Sequence, residues 1–350
     1  MSLPLGDPNV LIEIVGDFVI LLVTFLEEWN ENEDLFFLVR WKKGEVHCVS
    51  VSKLYHIPSN FAYTLFQLCC PERGTYIYST FLSQDTLVTP NLKDNTVEVT
   101  KVVIDSDDTP RLVPLCVFHL PPLIPDASIH FISCRAEPNP TASGPAAIPS
   151  TSCRPFRDKA EDALIIFDVS YLPSSHEWFT FVVHRRALFA HIPAAHRASP
   201  PFSSATGHTP ALVQVPWSAW GPASTHWFEG ENTSAAWITR TAGQRLVTLE
   251  NRMPTPIIVR DFNVYAVRAA RALMVASGQS RQGNWSKPLP NGNRMTLKVE
   301  DTVLAAGAVF KEEVRSSLPY VEIVTQDEYH YGSVMIDDER ILGFEVCFRI

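Results

Sequence analysis

Proline decides what this chain can become. There are 27 prolines in 350 residues, against 15 glycines, and they punctuate one short apolar run after another. Each fixes φ and removes a backbone donor, which excludes long helices over most of the length. What remains is a succession of short strands joined by rigid turns. Leu35 to Trp41 shows the pattern: an apolar and aromatic run, stopped by Lys42-Lys43-Gly44 and restarted as the alternating Glu45-Val46-His47-Cys48-Val49. Two such runs around a short Gly-containing turn predict a hairpin. Trp41 falls at the strand end, where its ring can pack across a sheet face. This is the form of the last two strands of a propeller blade.

Similar rhythm recurs along the chain. Val10 to Val15 and Phe18 to Leu26 flank Gly16-Asp17, a II′-type hairpin turn. Thr75 to Leu82, Thr86 to Val88, Thr96 to Ile104 and Leu112 to Leu120 form the next set, with turns at Pro90-Asn91 and Asp94-Asn95. Ser128 to Arg135, Ala163 to Tyr171 and Trp178 to His184 follow. Leu212 to Trp217, Thr225 to Phe228, Ala235 to Arg240, Arg245 to Leu249 and Ile257 to Asp261 make a fourth set. Met295 to Lys298, Ala305 to Val314, Tyr320 to Thr325, Tyr331 to Ile336 and Arg340 to Phe348 close the chain. Val264 to Ala276 is the best helix by period, Arg185 to Ile192 makes one or two helical turns, and Asn60 to Cys70 reads as helix or strand. Gly278 to Asn293 reads as loop. Two Pro/Ser-rich stretches, 137–160 and 196–210, read as flexible insertions. About five blade-sized units emerge. The expectation is an all-β, propeller-like (WD40-like) single domain over residues 1–350, with short helical turns and disordered insertions.

A hydrophobic content of 46% with 11% aromatics supplies a core and excludes global disorder. The net charge of −9 recommends no nucleic acid and no anionic membrane surface as partner. Leu11 to Leu26 is apolar but too short to span a bilayer, and Glu13, Gly16 and Asp17 interrupt it. Seven cysteines, an odd number with no C-x-x-C pair, and an N-terminus without a secretory leader point to reduced thiols in cytoplasm or nucleus. The sequons at Asn232 and Asn284 are then chance matches.

Chemistry is thin. His184, His191 and His196, with Arg185 and Arg186, have spacings that fit no zinc pattern. Cys69-Cys70 reads as structural thiols rather than a redox pair. Asp105, Asp107 and Asp108 lack the glycine and distal Glu of a calcium loop. Trp217, Trp220 and Trp227 read as core rather than a ligand platform. Gly243-Gln244-Arg245 and Arg260-Asp261 read as turn and ion-pair elements. No nucleophile elbow, Walker loop, H-E-x-x-H or dinucleotide fingerprint occurs, so neither a cofactor nor catalysis is expected. The best candidate for binding is the acidic stretch Glu27, Glu28, Trp29, Glu31, Glu33 and Asp34, which suits a basic peptide anchored on the ring of Trp29. Its plainer reading is a solvated loop.

Several phrases together carry a family likeness. They are R-W-K-K-G (Arg40 to Gly44), T-F-L-S-Q-D-T-L-V-T-P-N (Thr80 to Asn91), I-S-C-R-A-E-P-N-P (Ile132 to Pro140) and V-P-W-S-A-W-G-P (Val215 to Pro222). T-A-G-Q-R (Thr241 to Arg245), V-R-D-F-N (Val259 to Asn263), S-L-P-Y-V-E-I-V (Ser317 to Val324) and M-I-D-D-E-R-I-L-G (Met335 to Gly343) complete the series. In this order they resemble the C-terminal region of F-box proteins of mushroom-forming (agaricomycete) fungi. The resemblance implies a propeller-like module that receives a protein target for a ubiquitin ligase. No F-box has a counterpart here, so the ligase scaffold would be a partner only if that segment lies upstream. Arg40 also stands where WD-type blades carry Asp. Two rivals remain open: a propeller enzyme with a central-channel site, and a truncated paralogue without function.

Overall fold

The computed structural model describes residues 9–24, 35–40, 45–48, 67–69, 76–104, 110–140, 159–173, 177–194, 212–230, 240–250, 252–279, 283–337 and 339–345. Strands dominate and pair almost entirely antiparallel. The all-β expectation holds at that level.

The first sheet is a meander of β1 (Asn9–Val15), β2 (Phe18–Thr24), β3 (Leu35–Arg40) and β4 (Glu45–Cys48), with β5 (Gln67–Cys69) sharing the outer edge of β3. Gly16 takes φ +58° between β1 and β2, the left-handed conformation that this hairpin class requires. The second sheet runs β6 (Thr80–Ser83), β7 (Thr86–Asn91), β8 (Thr96–Ile104) and β9 (Pro110–His119), and a short β13 (Val213–Val215) joins β9 in parallel. The third is β10 (Ser128–Arg135), β11 (Leu164–Leu172), β12 (Trp178–His184) and β14 (Thr225–Glu229). The fourth orders β15 (Thr241–Ala242), β16 (Arg245–Leu249), β17 (Thr255–Asp261), β22 (Tyr320–Tyr329), β19 (Arg294–Lys298) and β18 (Trp285–Pro288). Two small hairpins complete the set, β20 (Thr302–Leu304) with β21 (Val314–Ser316) and β23 (Tyr331–Ile336) with β24 (Ile341–Glu345).

These sheets stack face against face in chain order. Leu11, Val15, Ile20, Leu22 and Leu38 of the first sheet meet Phe81, Leu87 and Val102 of the second. The opposite face of the second, through Val88, Val97, Val99 and Phe118, meets Ile165, Phe167, Phe181 and Trp227 of the third. The third then presents Leu164, Ile166, Val182 and Phe228 to Leu246 and Tyr320 of the fourth. The middle strands are therefore buried on both faces, which is why β11 is buried at eight successive positions instead of alternating. Among the described residues no sheet closes on itself.

Helices α1 (Arg185–His191), α2 (Trp217–Ser224) and α3 (Val264–Ala276) lie against the stack. In α3, Asn263 caps the first turn by accepting from the Tyr265 N–H at 2.8 Å, and Val267, Ala270 and Met274 form the stripe against Trp285, Leu297 and Val321.

Four readings need correction. Trp217 does not end a strand: it opens α2, and Trp217 and Trp220 drop from that helix into the core. Pro90 is no turn residue but lies inside β7, beyond the residues that pair with β6, so that β7 is an edge there and can hold a proline. Ala305 to Val314 is no strand, because Gly307 (φ +105°) turns the chain and Phe310 plugs the core. Trp285 to Pro288, expected as loop, is strand β18.

Candidate functional site

At the seam between the first two sheets lies a cleft of about 420 Å³. Its apolar walls are Phe18 at the start of β2, Leu115 of β9, and Phe189 and Ile192 from the end of α1. Leu115 and Ile192 belong to the central core, whereas Phe18 packs on the cluster beneath the first sheet. The cleft thus opens where two hydrophobic layers part.

Its polar rim comes from the β6–β7 turn, where Ser83 and Thr86 face each other across Gln84-Asp85. Asp85 holds this turn by itself. Its Oδ1 accepts from the Ser83 hydroxyl at 2.7 Å and the Thr86 hydroxyl at 3.0 Å, and its backbone carbonyl accepts from Val102 N–H at 2.6 Å. Asp85 Oδ2 stands 3.5 Å from Nζ of Lys101, the residue that pairs with Thr86 across β7 and β8. The Lys101 ammonium is largely buried while the Asp85 carboxylate faces solvent, at 11% and 36% side-chain exposure. A buried lysine before the Val102-Val103-Ile104 end of β8 was the one signal in the sequence. The rest of the cleft joins segments up to 174 positions apart, counting from Phe18 to Ile192 (192 minus 18).

A second polar cluster ties the first sheet to the third. Asn139 donates from Nδ2 to the Ile14 carbonyl at 2.9 Å. Beside it, burial pushes the Glu13 carboxyl up to about 7, helped by the nearby Glu137 charge and opposed by Arg135, Asn139 and Arg185. Glu137 is raised by burial as well. Arg185, fully buried, donates from Nη1 to the carbonyls of Pro138 (2.7 Å) and Ala160 (3.1 Å) and from Nη2 to that of Ala136 (3.2 Å). One guanidinium thus clamps the chain leaving β10 to the chain entering β11. Asp168 is similarly locked: one Arg240 Nη2 donates to both its oxygens at 2.7 Å, and Thr180 donates at 2.7 Å.

Three of the described histidines, His184, His191 and His226, are engaged in packing or hydrogen bonds within the fold. His184 Nδ1 donates to the Asp162 carbonyl at 2.7 Å, and His191 sits edge-on to Phe118. His226 is bonded at both nitrogens, to the Leu318 carbonyl and the Thr302 hydroxyl, each at 3.0 Å, and burial pushes it down to about 4. Among the described residues no cluster of His, Cys, Asp and Glu has the makings of a metal site. Trp217, Trp220 and Trp227 are core. Arg260 reaches Glu322 at 3.3 Å. The acidic candidates Glu27, Glu28, Trp29, Glu31, Glu33 and Asp34 lie outside the described residues, as do His196, Cys70 and the Asp105, Asp107 and Asp108 group. No helix among the described residues is long and apolar enough to cross a membrane.

No family model, curated protein or solved structure matches this chain.

Proposed function

We propose that this protein works by holding a partner protein non-covalently, as the target-receiving part of an F-box ubiquitin-ligase adaptor would. The observation that carries the reading is the cleft. Among the described residues its hydroxyls, Ser83 and Thr86, are donors to Asp85, and Asp85 faces Lys101, an arrangement that ties up the hydroxyls rather than activating them as nucleophiles. An apolar floor inside a polar rim is the anatomy of an interface hot spot. The stack of sheets in chain order agrees with an arc of propeller blades, a scaffold that presents loops from each blade on a rigid face. The ligase setting rests on the family resemblance alone.

The test is affinity purification from cells of the source organism, comparing the wild type with Gln84→Trp, whose ring would cover the cleft mouth. The reading expects a stoichiometric partner that the variant loses, and the ligase scaffold beside it when any upstream F-box is included. Identical recoveries from both would overturn the cleft as the recognition site.

One observation favours an enzyme instead: Glu13, protonated near neutrality beside Glu137, has the character of a general acid. Saturable turnover of chromogenic glycosides or esters, lost in Glu13→Gln, would put that reading first.

A further inference from the structure

Helix α3 lies at the other end of the stack from the cleft. Val267, Ala270 and Met274 hold it to the fourth sheet, and its opposite side meets solvent. A helix laid on a sheet ordinarily gives that side to charged and polar residues. Here the outward side carries Tyr265, Leu273 and Val275, exposed at 73%, 45% and 44%, with exposed Ala269, Ala272 and Ala276 among them. The charged side chains of the helix are Arg268 and Arg271, and it holds no Asp or Glu. Arg268 stands 5.9 Å over the Tyr265 ring, a contact through the flat of the guanidinium that does not use its N–H donors. Arg271 is exposed and has no hydrogen bond or ion pair among the described residues.

The spacing says what shape fits this face. Tyr265, Ala269 and Leu273 form one row and Arg271 with Val275 another, and Arg268, Ala272 and Ala276 run between them. Rows of this kind accept the ridge of a second helix. The charge says which helix. Two arginines one turn apart, on an element without a carboxylate, are complemented by two Asp or Glu side chains one turn apart. A second copy of this chain fits poorly through α3 itself. Arg268 and Arg271 flank the middle of the helix, so α3 packed on α3 brings four guanidiniums together. An anionic membrane meets a whole side of the chain, and the net charge of −9 opposes it, whereas a single segment meets only the helix.

We infer that the outward face of α3 docks an acidic amphipathic helix of a partner other than the one held at the cleft, its apolar ridge along Tyr265, Leu273 and Val275 and its carboxylates on Arg268 and Arg271.

The test titrates the whole chain with two stapled helical peptides of about 16 residues by fluorescence anisotropy. Both carry the same leucine ridge, flanked by glutamates in one and by lysines in the other. Interfaces this small are weak, so the glutamate peptide should bind with a Kd on the order of 100 µM. Its binding should weaken severalfold as salt rises from about 50 to about 500 mM, and the lysine peptide should not bind. Arg268→Glu/Arg271→Glu should exchange that preference, and Leu273→Glu should lower the affinity on the order of tenfold. Gln84→Trp should bind as the wild type does. All these positions are exposed or half-exposed, so unchanged thermal melts are expected; should a variant melt early, the ranking of the two peptides and the salt dependence on the wild type decide. Absence of saturable binding, equal affinity for both peptides, a preference unmoved by the charge swap, or loss in Gln84→Trp would each overturn the inference. So would an oligomer in light scattering that Leu273→Glu splits, which gives the face to a second copy. Cosedimentation with phosphatidylcholine–phosphatidylserine vesicles that the charge swap abolishes would give it to a membrane, and likewise overturn it.

Discussion

At the scale of single residues, the fold is held by a few polar groups placed where apolar layers meet. Glu13 is the clearest case. Its carboxyl titrates near 7 in the folded chain against an ordinary value of 4.5, so between those pH values the folded state keeps a proton that the unfolded chain has released. Stability must then fall as pH rises through that window, by on the order of 2 kcal/mol once partial solvent screening is allowed for. Glu13→Gln should remove this slope. In urea titrations its gain over wild type is expected to grow from near zero at about pH 4.5 to about 2 kcal/mol at about pH 8, and an equal gain at both would contradict the assignment. Comparing variant and wild type at each pH separates Glu13 from His226. That ring, pushed down to about 4, gives a slope of opposite sign: stability is lost as pH falls through the interval below 6.5. Arg185 acts differently, because it donates to three carbonyls, of which that of Ala160 also accepts from the Ala163 N–H. Arg185→Met recovers the cost of burying a charge but takes the guanidinium donor from the Ala136 and Pro138 carbonyls, and should destabilise by roughly 2–4 kcal/mol in the same assay. A change under about 0.5 kcal/mol would show that the clamp is idle.

At the scale of elements, what the sequence announced depended on period. Ser128–Arg135, Trp178–His184 and Val264–Ala276 appear with the boundaries expected, because each is a run of one periodicity between turn or cap residues. Helix α2 was illegible for a physical reason. Its tryptophans favour strands, and Gly221 and Pro222 oppose helix, yet burying Trp217 and Trp220 overrides propensity. A side chain at Gly221 would collide with the Trp217 ring, so that glycine is there for close packing. The cleft was hidden likewise. The turn at Ser83 to Thr86 could be read, but nothing local says that Phe18, Lys101 and α1 converge on it. Strand β1 leads to a further prediction. Val10, Ile12 and Ile14 are about half exposed on one face of it, with Ile12 at 58%, and among the described residues β1 is an edge. An apolar edge strand invites self-association. Ile12→Thr should leave stability within about 0.5 kcal/mol while lowering the light-scattering mass at high concentration. A loss of several kcal/mol would mean that Ile12 is covered.

At the scale of the whole molecule, four sheets following one another in sequence and in space give a layered body. The deep seams are filled by aromatic side chains such as Phe167 stacked on Phe181 and Phe181 stacked on Trp227, with centroids 4.5 Å apart in both pairs. The outer seam, between the first and second sheets, is filled only in part, and there the chain offers a cavity rather than a core. Recognition at that seam is the central claim. Hydrogen exchange on the complex with the captured partner tests it most directly. The account predicts slowed exchange in 80–86, around Lys101 and through 185–192, with the fourth sheet and α3 unchanged. Protection confined to the fourth sheet or α3, with 80–86 exchanging as in the free chain, would contradict it.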